Sequence, residues 1–252
     1  MPNSPASSLR ARSTRWFLLF ALCGSPLACT DSDETAATPA TGTVALHLDH
    51  TLLGSPMALD TAAVLDSEIE VTFTMLRYWL SNLALVAEDG RVFEVPEAYY
   101  LVEITDKNIR TKIDLSAVPI GTYTGLHYAV GIDPAHNESL DTFVGELEAG
   151  LGMDWTWKSG FIFFKAEGTF ATGEASDKYA MHLGHNELFE LRTFALSEPL
   201  VVLEGEPAEL RLSVITEQLF TGLDFSERKS FIGGPPESPA AAVFPNALMM
   251  FP

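Results

Sequence analysis

Hydrophobic and polar residues alternate at a period of two in several segments of the chain. The alternation is clearest at Val44/Leu46/Leu48, Ile69/Val71/Phe73/Met75, Phe161/Phe163 and Leu210/Leu212/Val214. Since successive side chains point to opposite sides of a strand, this pattern predicts half-buried strands. Further strands are predicted at 83–87, 99–104, 123–131, 178–183 and 188–196. Roughly nine or ten short strands separated by turn signals predict an all-β fold, an antiparallel sandwich or barrel. Of these two, we expect an antiparallel β-sandwich with long loops.

Helical patterns are scarce. One helix is predicted at 216–225 and a short one at 141–151, within a long loop. The C-terminal residues 242–251 are strongly apolar. We expect them to dock on the body and cover an apolar patch or a sheet edge.

The N-terminal residues have the order of a secretory signal peptide. Arg10, Arg12 and Arg15 precede the apolar run 16–23, which is too short to span a bilayer. The sequence Pro-Leu-Ala-Cys that ends at Cys29 resembles the lipobox of bacterial lipoproteins, in which the cysteine is lipidated and becomes the new N-terminus. The alternative is an ordinary signal peptidase cut nearby, with Cys29 left as a thiol.

These features predict three regions: a signal peptide at 1–28, lipidated Cys29 with a flexible tether at 29–42, and a folded domain at 43–252. The tether is polar and lacks large apolar groups, so it cannot bury enough surface to offset its ordering entropy. We expect a lipid-anchored protein of the bacterial cell envelope, at the periplasmic or surface face of a membrane, with the outer membrane favoured.

Composition narrows the function. Both cysteines, Cys23 and Cys29, lie in the signal region, so the mature domain can form no internal disulfide. The net charge of -19 becomes about -22 once the three N-terminal arginines are removed. Such acidity argues against nucleic-acid binding and favours cationic partners or metal ions, although diffuse acidity also serves solubility alone.

No catalytic signature is present. The sequence lacks Gly-x-Ser-x-Gly, a phosphate-binding glycine loop, His-Glu-x-x-His and Cys-x-x-Cys. The paired carboxylates of Glu146 and Glu148 lie in a polar loop and are interpreted as solvated. We therefore expect that the protein is not an enzyme.

Histidines are the candidate metal ligands. His47 and His50 are three residues apart, as are His182 and His185, and residues three apart on a regular strand face opposite sides. Each pair can then supply one ligand, unless a turn at Gly184 swings His185 back. The economical site combines His50 and His182, with His185, Met153 and Asp49 as secondary candidates. Imidazoles suit copper or zinc, whereas the alternative is that these histidines are ordinary polar residues.

Residues 152–160 contain two tryptophans, Trp155 and Trp157, two positions apart and beside Met153. On an extended chain all three share one side. They could form a core cluster, which is the usual role of tryptophan. Flanking glycines at 152 and 160, however, permit backbone conformations that a plain core strand does not need.

Several blocks follow one another along the chain: 48–50 with Gly54, 76–82 leading to 88–90, 118–123, 131–134, 152–161 continuing to 165–168, and 182–184. In this order and spacing, they resemble the MbnP-like periplasmic copper-binding proteins of bacteria. The block at 152–161 is the most specific.

The resemblance implies a β-sandwich that binds copper through histidine, here His50 and His182. It also implies a partner, a di-haem enzyme of the cytochrome c peroxidase and MauG type, which oxidises a tryptophan to kynurenine. Trp155 and Trp157 are the candidates for that oxidation. Some relatives carry several cysteines in this domain, and this chain has none there. The alternatives are a surface interaction module without metal and a structural component of the envelope.

Overall fold

The structure is a computed structural model, and it describes residues 39–65, 69–138, 144–147, 151–235 and 237–252. The predicted signal peptide, Cys29 and most of the tether lie outside these residues, as does most of the helix predicted at 141–151. Within the described ranges, no helix has the length and apolarity needed to cross a membrane.

The described residues form two β-sheets and two α-helices. In chain order, the elements are β1 (Thr41–Leu52), β2 (Ser55–Pro56), β3 (Ala63–Val64), β4 (Ile69–Ala87), β5 (Val92–Glu94), β6 (Tyr99–Ile104), β7 (Ile109–Arg110), β8 (Lys112–Pro119), β9 (Gly121–Val130), α1 (Pro134–Asn137), β10 (Phe164–Thr172), β11 (Ala175–Leu183), β12 (Leu191–Val202), β13 (Pro207–Ile215), β14 (Ser230–Gly233) and α2 (Pro239–Met249). Two short 3-10 helices, Asn186–Leu188 and Thr216–Phe220, complete the set.

The smaller sheet is built on β1, which pairs with β13, β8 and β2. The larger sheet has the order β12-β9-β4-β10-β11-β14, with β3, β5 and β6 also pairing with β4 and β7 pairing with β6. The predicted all-β sandwich is confirmed. Most pairs are antiparallel, but β1 with β13 and β11 with β14 run parallel, which alternation along single strands cannot reveal.

The core lies between the two sheets. Alternate residues of β1, such as Leu46 and Leu48, are buried and face alternate residues of β4 and β10, such as Tyr78 and Phe164. His50 of β1 contacts Tyr78 of β4 across this space. Tyr78 therefore marks the inner face of the larger sheet, and its neighbours Arg77 and Trp79 point to the outer face.

The apolar C-terminus docks on the sandwich. The ring of Phe251, just after α2, packs edge to face on Tyr78 at 5.1 Å and lies 6.2 Å from the Tyr128 ring. The Tyr128 hydroxyl donates a hydrogen bond to the carbonyl of Pro252 at 2.6 Å. These contacts cover the end of the core beside His50.

Some local predictions differ from the structure. The helix predicted at 216–225 is only the 3-10 turn Thr216–Phe220, and Phe161 and Phe163 precede β10 instead of forming a strand. The short helix α1 was not predicted. It begins where Asp133 accepts hydrogen bonds from the backbone amides of Ala135 and His136, with Pro134 at its first position.

Candidate functional site

Residues 151–163, called here the tryptophan loop, form a compact turn before β10. Asp154 bridges to Phe161, the amide of Trp155 donates to the Gly160 carbonyl at 3.1 Å, and the amide of Ile162 donates to the Met153 carbonyl at 2.7 Å. Gly152 and Gly160 have φ values of 71° and 102°, which favour glycine. The flanking glycines thus close the turn, and Trp155 and Trp157 do not lie on a regular strand.

The loop covers the outer face of the larger sheet. Arg77 donates from Nη2 to the Leu151 carbonyl at 2.7 Å and from Nε to Glu103 at 2.7 Å. Trp79, the next outward residue of β4, is fully buried and meets Phe161 edge to face at 5.9 Å. The loop is therefore fixed to the sheet by both a cation and an aromatic contact.

The two loop tryptophans differ in exposure but touch each other. Trp155 is 5% exposed and Trp157 is 65% exposed, with their ring centroids 4.9 Å apart. The ammonium of Lys158 lies 5.0 Å from the centre of the Trp155 ring, within range of a cation–π interaction. Burial lowers the pKa of Lys158. The pair joins a solvent-facing indole to a shielded one.

His185 shares a surface cavity with Trp155. The cavity has a volume of about 310 Å³, and Asn137, Ser159 and Asn186 also line it. Nδ1 of His185 is buried, and no described residue gives it a hydrogen-bond partner. The nearest carboxylate oxygen to this nitrogen belongs to Glu187, at 3.6 Å. His185 thus offers an imidazole nitrogen that no described group uses.

Side-chain amides brace this cavity. Asn137 accepts a hydrogen bond from the amide of Phe161 at 2.7 Å and donates to Asn186 at 2.7 Å, and Asn186 in turn donates to Glu138. A Cβ at Gly184 would lie 2.4 Å from the Phe161 carbonyl oxygen. Gly184 therefore lets the tryptophan loop pass close over β11, and it does not provide the turn that the sequence suggested.

His182 lies on the outer face of the same sheet. It pairs in register with Lys165, which pairs with outward-facing Arg77. Its Nε2 is 2.8 Å from Glu167 Oε1. Burial lowers the pKa of His182, and the hydrogen bond to Glu167 opposes that shift.

His50 has a different environment. It is 8% exposed, its Nδ1–H donates to the Leu48 carbonyl at 2.9 Å, and its Nε2 accepts from the Tyr78 hydroxyl at 3.0 Å. Burial lowers its pKa to about 4. His50 is therefore a neutral core histidine with both ring nitrogens in use.

The structure does not bring the predicted ligands together. His50 contacts the inner face of the larger sheet, whereas His182 projects from the outer face, so the sheet separates the two imidazoles. Asp49 forms an ion pair with Arg211 at 3.1 Å, and Met153 is buried within the tryptophan loop, at 1% exposure. Among the described residues, no group of three or more His, Cys, Asp and Glu could hold a metal ion.

Sequence reasoning missed a second polar cluster on the outer face. The Tyr99 hydroxyl donates to Asp133, and His136 Nδ1 lies 2.9 Å from Asp133 Oδ1. Burial raises the pKa of Tyr99, and the hydrogen bond to Asp133 raises it further. The signal available was Asp133-Pro134, a helix start, with His136 three residues after the capping aspartate.

The fold and the site define a β-sandwich in which a tryptophan loop covers the outer face of the larger sheet, with His182 on that face and His185 in a cavity beside Trp155. Comparison with family models matches MbnP over residues 41–235. The chain therefore belongs to the MbnP family, as its sequence blocks indicated.

Among solved structures, the chain is similar to MbnP from Methylosinus trichosporium. The two share 16% sequence identity and a TM-score of 0.52, over 82% of this chain and 87% of that one. At this identity the likeness concerns the fold alone. Comparison with curated proteins gives no match.

Proposed function

We propose that this MbnP-family chain is an exported lipoprotein of the bacterial envelope that binds copper beside the tryptophan loop. In this proposal it is the substrate and partner of a di-haem enzyme of the cytochrome c peroxidase and MauG type, which oxidises a loop tryptophan to kynurenine. The observation that carries it is the contact between exposed Trp157 and buried Trp155, at 4.9 Å, beside the cavity that holds His185.

The tryptophan pair suits oxidation by a second protein. Trp157 is the exposed indole that a partner protein can approach. Its ring contacts the ring of Trp155, so Trp155 is the next indole inward from the surface. Opening of an indole ring yields an aniline nitrogen and a carbonyl, two groups that can meet a metal. Trp155 is the favoured site of the change because it shares a cavity with His185.

The residues present fit copper in part. Nδ1 of His185 is a buried imidazole nitrogen without a hydrogen-bond partner among the described residues, and imidazole is a good copper ligand. Glu187 is near it, at 3.6 Å. His182, three residues earlier in the chain, lies on the face of the larger sheet that the tryptophan loop covers. His50 fits less well, since a metal would have to displace its bonds to Leu48 and Tyr78. A bound copper ion would supply a one-electron redox centre beside the tryptophans.

Copper titration of the mature chain, made with and without a di-haem protein of the proposed partner class, tests the proposal. We expect His185→Gln to weaken copper binding about tenfold or more, which corresponds to a loss of about 1.4 kcal/mol or more of binding free energy. His47→Gln is the matched control, because His47 pairs with Glu209 on the smaller sheet. Unchanged affinity in the His182→Gln/His185→Gln double variant would contradict the site.

Peptide mass spectrometry tests the oxidation separately. Protein made with its haem partner should carry added oxygen, or kynurenine, within residues 152–160, and protein made alone should not. Unmodified Trp155 and Trp157 in the co-expressed protein would contradict this part of the proposal.

The lipid anchor has its own test. Cys29→Ser should move the protein from the membrane fraction to the soluble envelope fraction, because no lipid could then be attached to the chain's new N-terminus. Cys23→Ser is the control, since Cys23 lies within the predicted signal peptide. Membrane association of Cys29→Ser would contradict lipidation.

A surface interaction module without metal is the second candidate function. The observation that favours it is Trp157 itself, a large apolar side chain that is 65% exposed. Tryptophan is enriched among the few residues that carry most of the binding energy at protein interfaces. Partner binding that needs Trp157 but neither histidine nor copper would support this alternative.

A further inference from the structure

A second cleft opens on the outer face of the larger sheet, next to the Tyr99, Asp133 and His136 cluster. Its volume is about 440 Å³, within the range of small-molecule sites. Leu83, Ala84, Val95, Ala98 and Phe189 supply apolar lining. The cleft is thus large enough and apolar enough to hold a small organic molecule.

Irregular backbone shapes this cleft. The pairing of β4 with β9 shifts between Ser81 and Ala84, and within that shift Asn82 has a φ of 52°. Glu97, on the facing wall, has a φ of 49°. The amide of Asn82 donates to the Ala98 carbonyl at 2.9 Å, which holds the two walls together. Left-handed backbone at residues other than glycine is costly and is concentrated at binding sites.

Apart from two histidines, the ionisable side chains that line the cleft, among the described residues, are acidic or tyrosine. Glu94, Glu97 and Asp133 line it together with His127 and His136, and no lysine or arginine is among its described lining residues. Burial opposes ionisation of Asp133, but hydrogen bonds from Tyr99 and His136 outweigh it and lower the pKa of this carboxyl. The side chain of Asp133 is 16% exposed. A fixed carboxylate therefore lies beside an apolar floor.

We propose that this cleft binds a small organic cation, an amine whose ammonium group meets Asp133 and whose apolar or aromatic body lies against Leu83, Ala84 and Phe189. The negative carboxylates complement the positive charge of such a ligand. No lysine or arginine among the described lining residues would repel that positive charge. The apolar lining of the cleft contacts the hydrophobic part of the ligand and removes it from water. This site is independent of copper and of the tryptophan loop.

Titration of the mature chain with 2-phenylethylamine, followed by backbone amide NMR, tests the proposal. The neutral control ligand is 2-phenylethanol, which has the same ring and chain. We expect the amine to shift resonances of Ala84, Ala98, Tyr99 and His127, and to bind about tenfold more tightly than the alcohol, as one partly screened ion pair would provide.

Variants identify the charge responsible. Asp133→Asn keeps an oxygen to cap α1 but removes the carboxylate, so we expect amine binding to fall about tenfold while alcohol binding stays the same. Glu94→Gln, at the exposed rim, is a second variant that does not threaten folding and should weaken amine binding less. Glu88→Gln, an exposed acid outside the cleft, should have no effect. Equal binding of amine and alcohol, shifts that map elsewhere, or wild-type amine affinity in folded Asp133→Asn would overturn the proposal.

Discussion

The Tyr78 hydroxyl donates a hydrogen bond to Nε2 of His50 at 3.0 Å, across the space between the two sheets. Because Nδ1 of His50 also donates a hydrogen bond to the Leu48 carbonyl, the imidazole is neutral and both of its nitrogens are hydrogen-bonded. A histidine that the sequence suggested as a metal ligand is therefore part of the core in this structure. Its consequences for stability can be measured directly.

Stability should fall as the pH is lowered from about 6.5 to about 4. Burial lowers the pKa of His50 from 6.5 to about 4 in the folded state, so between these values the unfolded chain binds a proton that the folded chain does not. Well above pH 6.5, protonation of His50 therefore does not affect the free energy of unfolding. Near pH 4, the same residue lowers that free energy by roughly 3 kcal/mol. Urea unfolding of the wild type and of His50→Gln, at pH 7.5 and 4.5, measures the difference. Equal pH dependence in both proteins would contradict the buried, neutral state of His50.

Removing the Tyr78 hydroxyl, which donates a hydrogen bond to His50, should also destabilise the protein. Tyr78→Phe leaves Nε2 of His50 buried without a donor, which costs about 1–3 kcal/mol. Tyr123→Phe is a useful control, because its hydroxyl donates to the nearby Pro119 carbonyl in a less buried setting and should cost less. Chemical denaturation at pH 7.5 compares the two variants. An effect of Tyr78→Phe no larger than that of the control would argue against the His50 contact.

The sequence identified the fold and the important segments but not the partners of the candidate ligands. Alternation correctly placed β1 and β13, because each has one buried face and one more exposed face. It could not show that His50 and His182 lie on opposite sides of the larger sheet. That separation depends on which strands pair and in which register, and residues far apart in sequence decide both.

The tryptophan loop illustrates a second limit. Trp155 and Trp157 have the spacing of a strand face, yet Gly152 and Gly160 turn the chain and leave one ring buried and the other exposed. The glycines signalled unusual backbone without specifying which conformation it takes. The cluster of Tyr99, Asp133 and His136 was missed because Tyr99 belongs to a strand distant in sequence from α1.

Gly184→Ala should disturb the tryptophan loop. An added Cβ would lie 2.4 Å from the Phe161 carbonyl oxygen and 2.9 Å from the Phe163 amide nitrogen, so backbone must move. We expect a loss of stability of about 1–3 kcal/mol, as for overpacking, together with altered near-UV circular dichroism from the Trp155/Trp157 pair. Gly125→Ala is the control, because its Cβ would come no closer than 3.2 Å to Val86. An unchanged tryptophan spectrum in Gly184→Ala would contradict the close passage of the loop over β11.

The exposures of the two loop tryptophans predict their accessibility to a quencher. Trp157 is 65% exposed, whereas Trp155 and Trp79 are nearly or fully buried. Acrylamide should therefore quench one component of the mature protein's fluorescence, and Trp157→Phe should remove that component. Trp155→Phe should leave it in place. Quenching that survives in Trp157→Phe would show that another indole is accessible.

The C-terminal residues should contribute strongly to stability although they lie beyond the segment that matches the family. Phe251 is 4% exposed and packs on Tyr78 and Tyr128, so Phe251→Ala removes a large ring from the core and should cost about 3 kcal/mol or more. Met249, two residues earlier and 46% exposed, is the matched control, and Met249→Ala should cost little. Thermal and urea unfolding at neutral pH measure both. Similar small effects of the two substitutions would mean that the docked C-terminus is dispensable, and the fold would then depend on the two sheets alone.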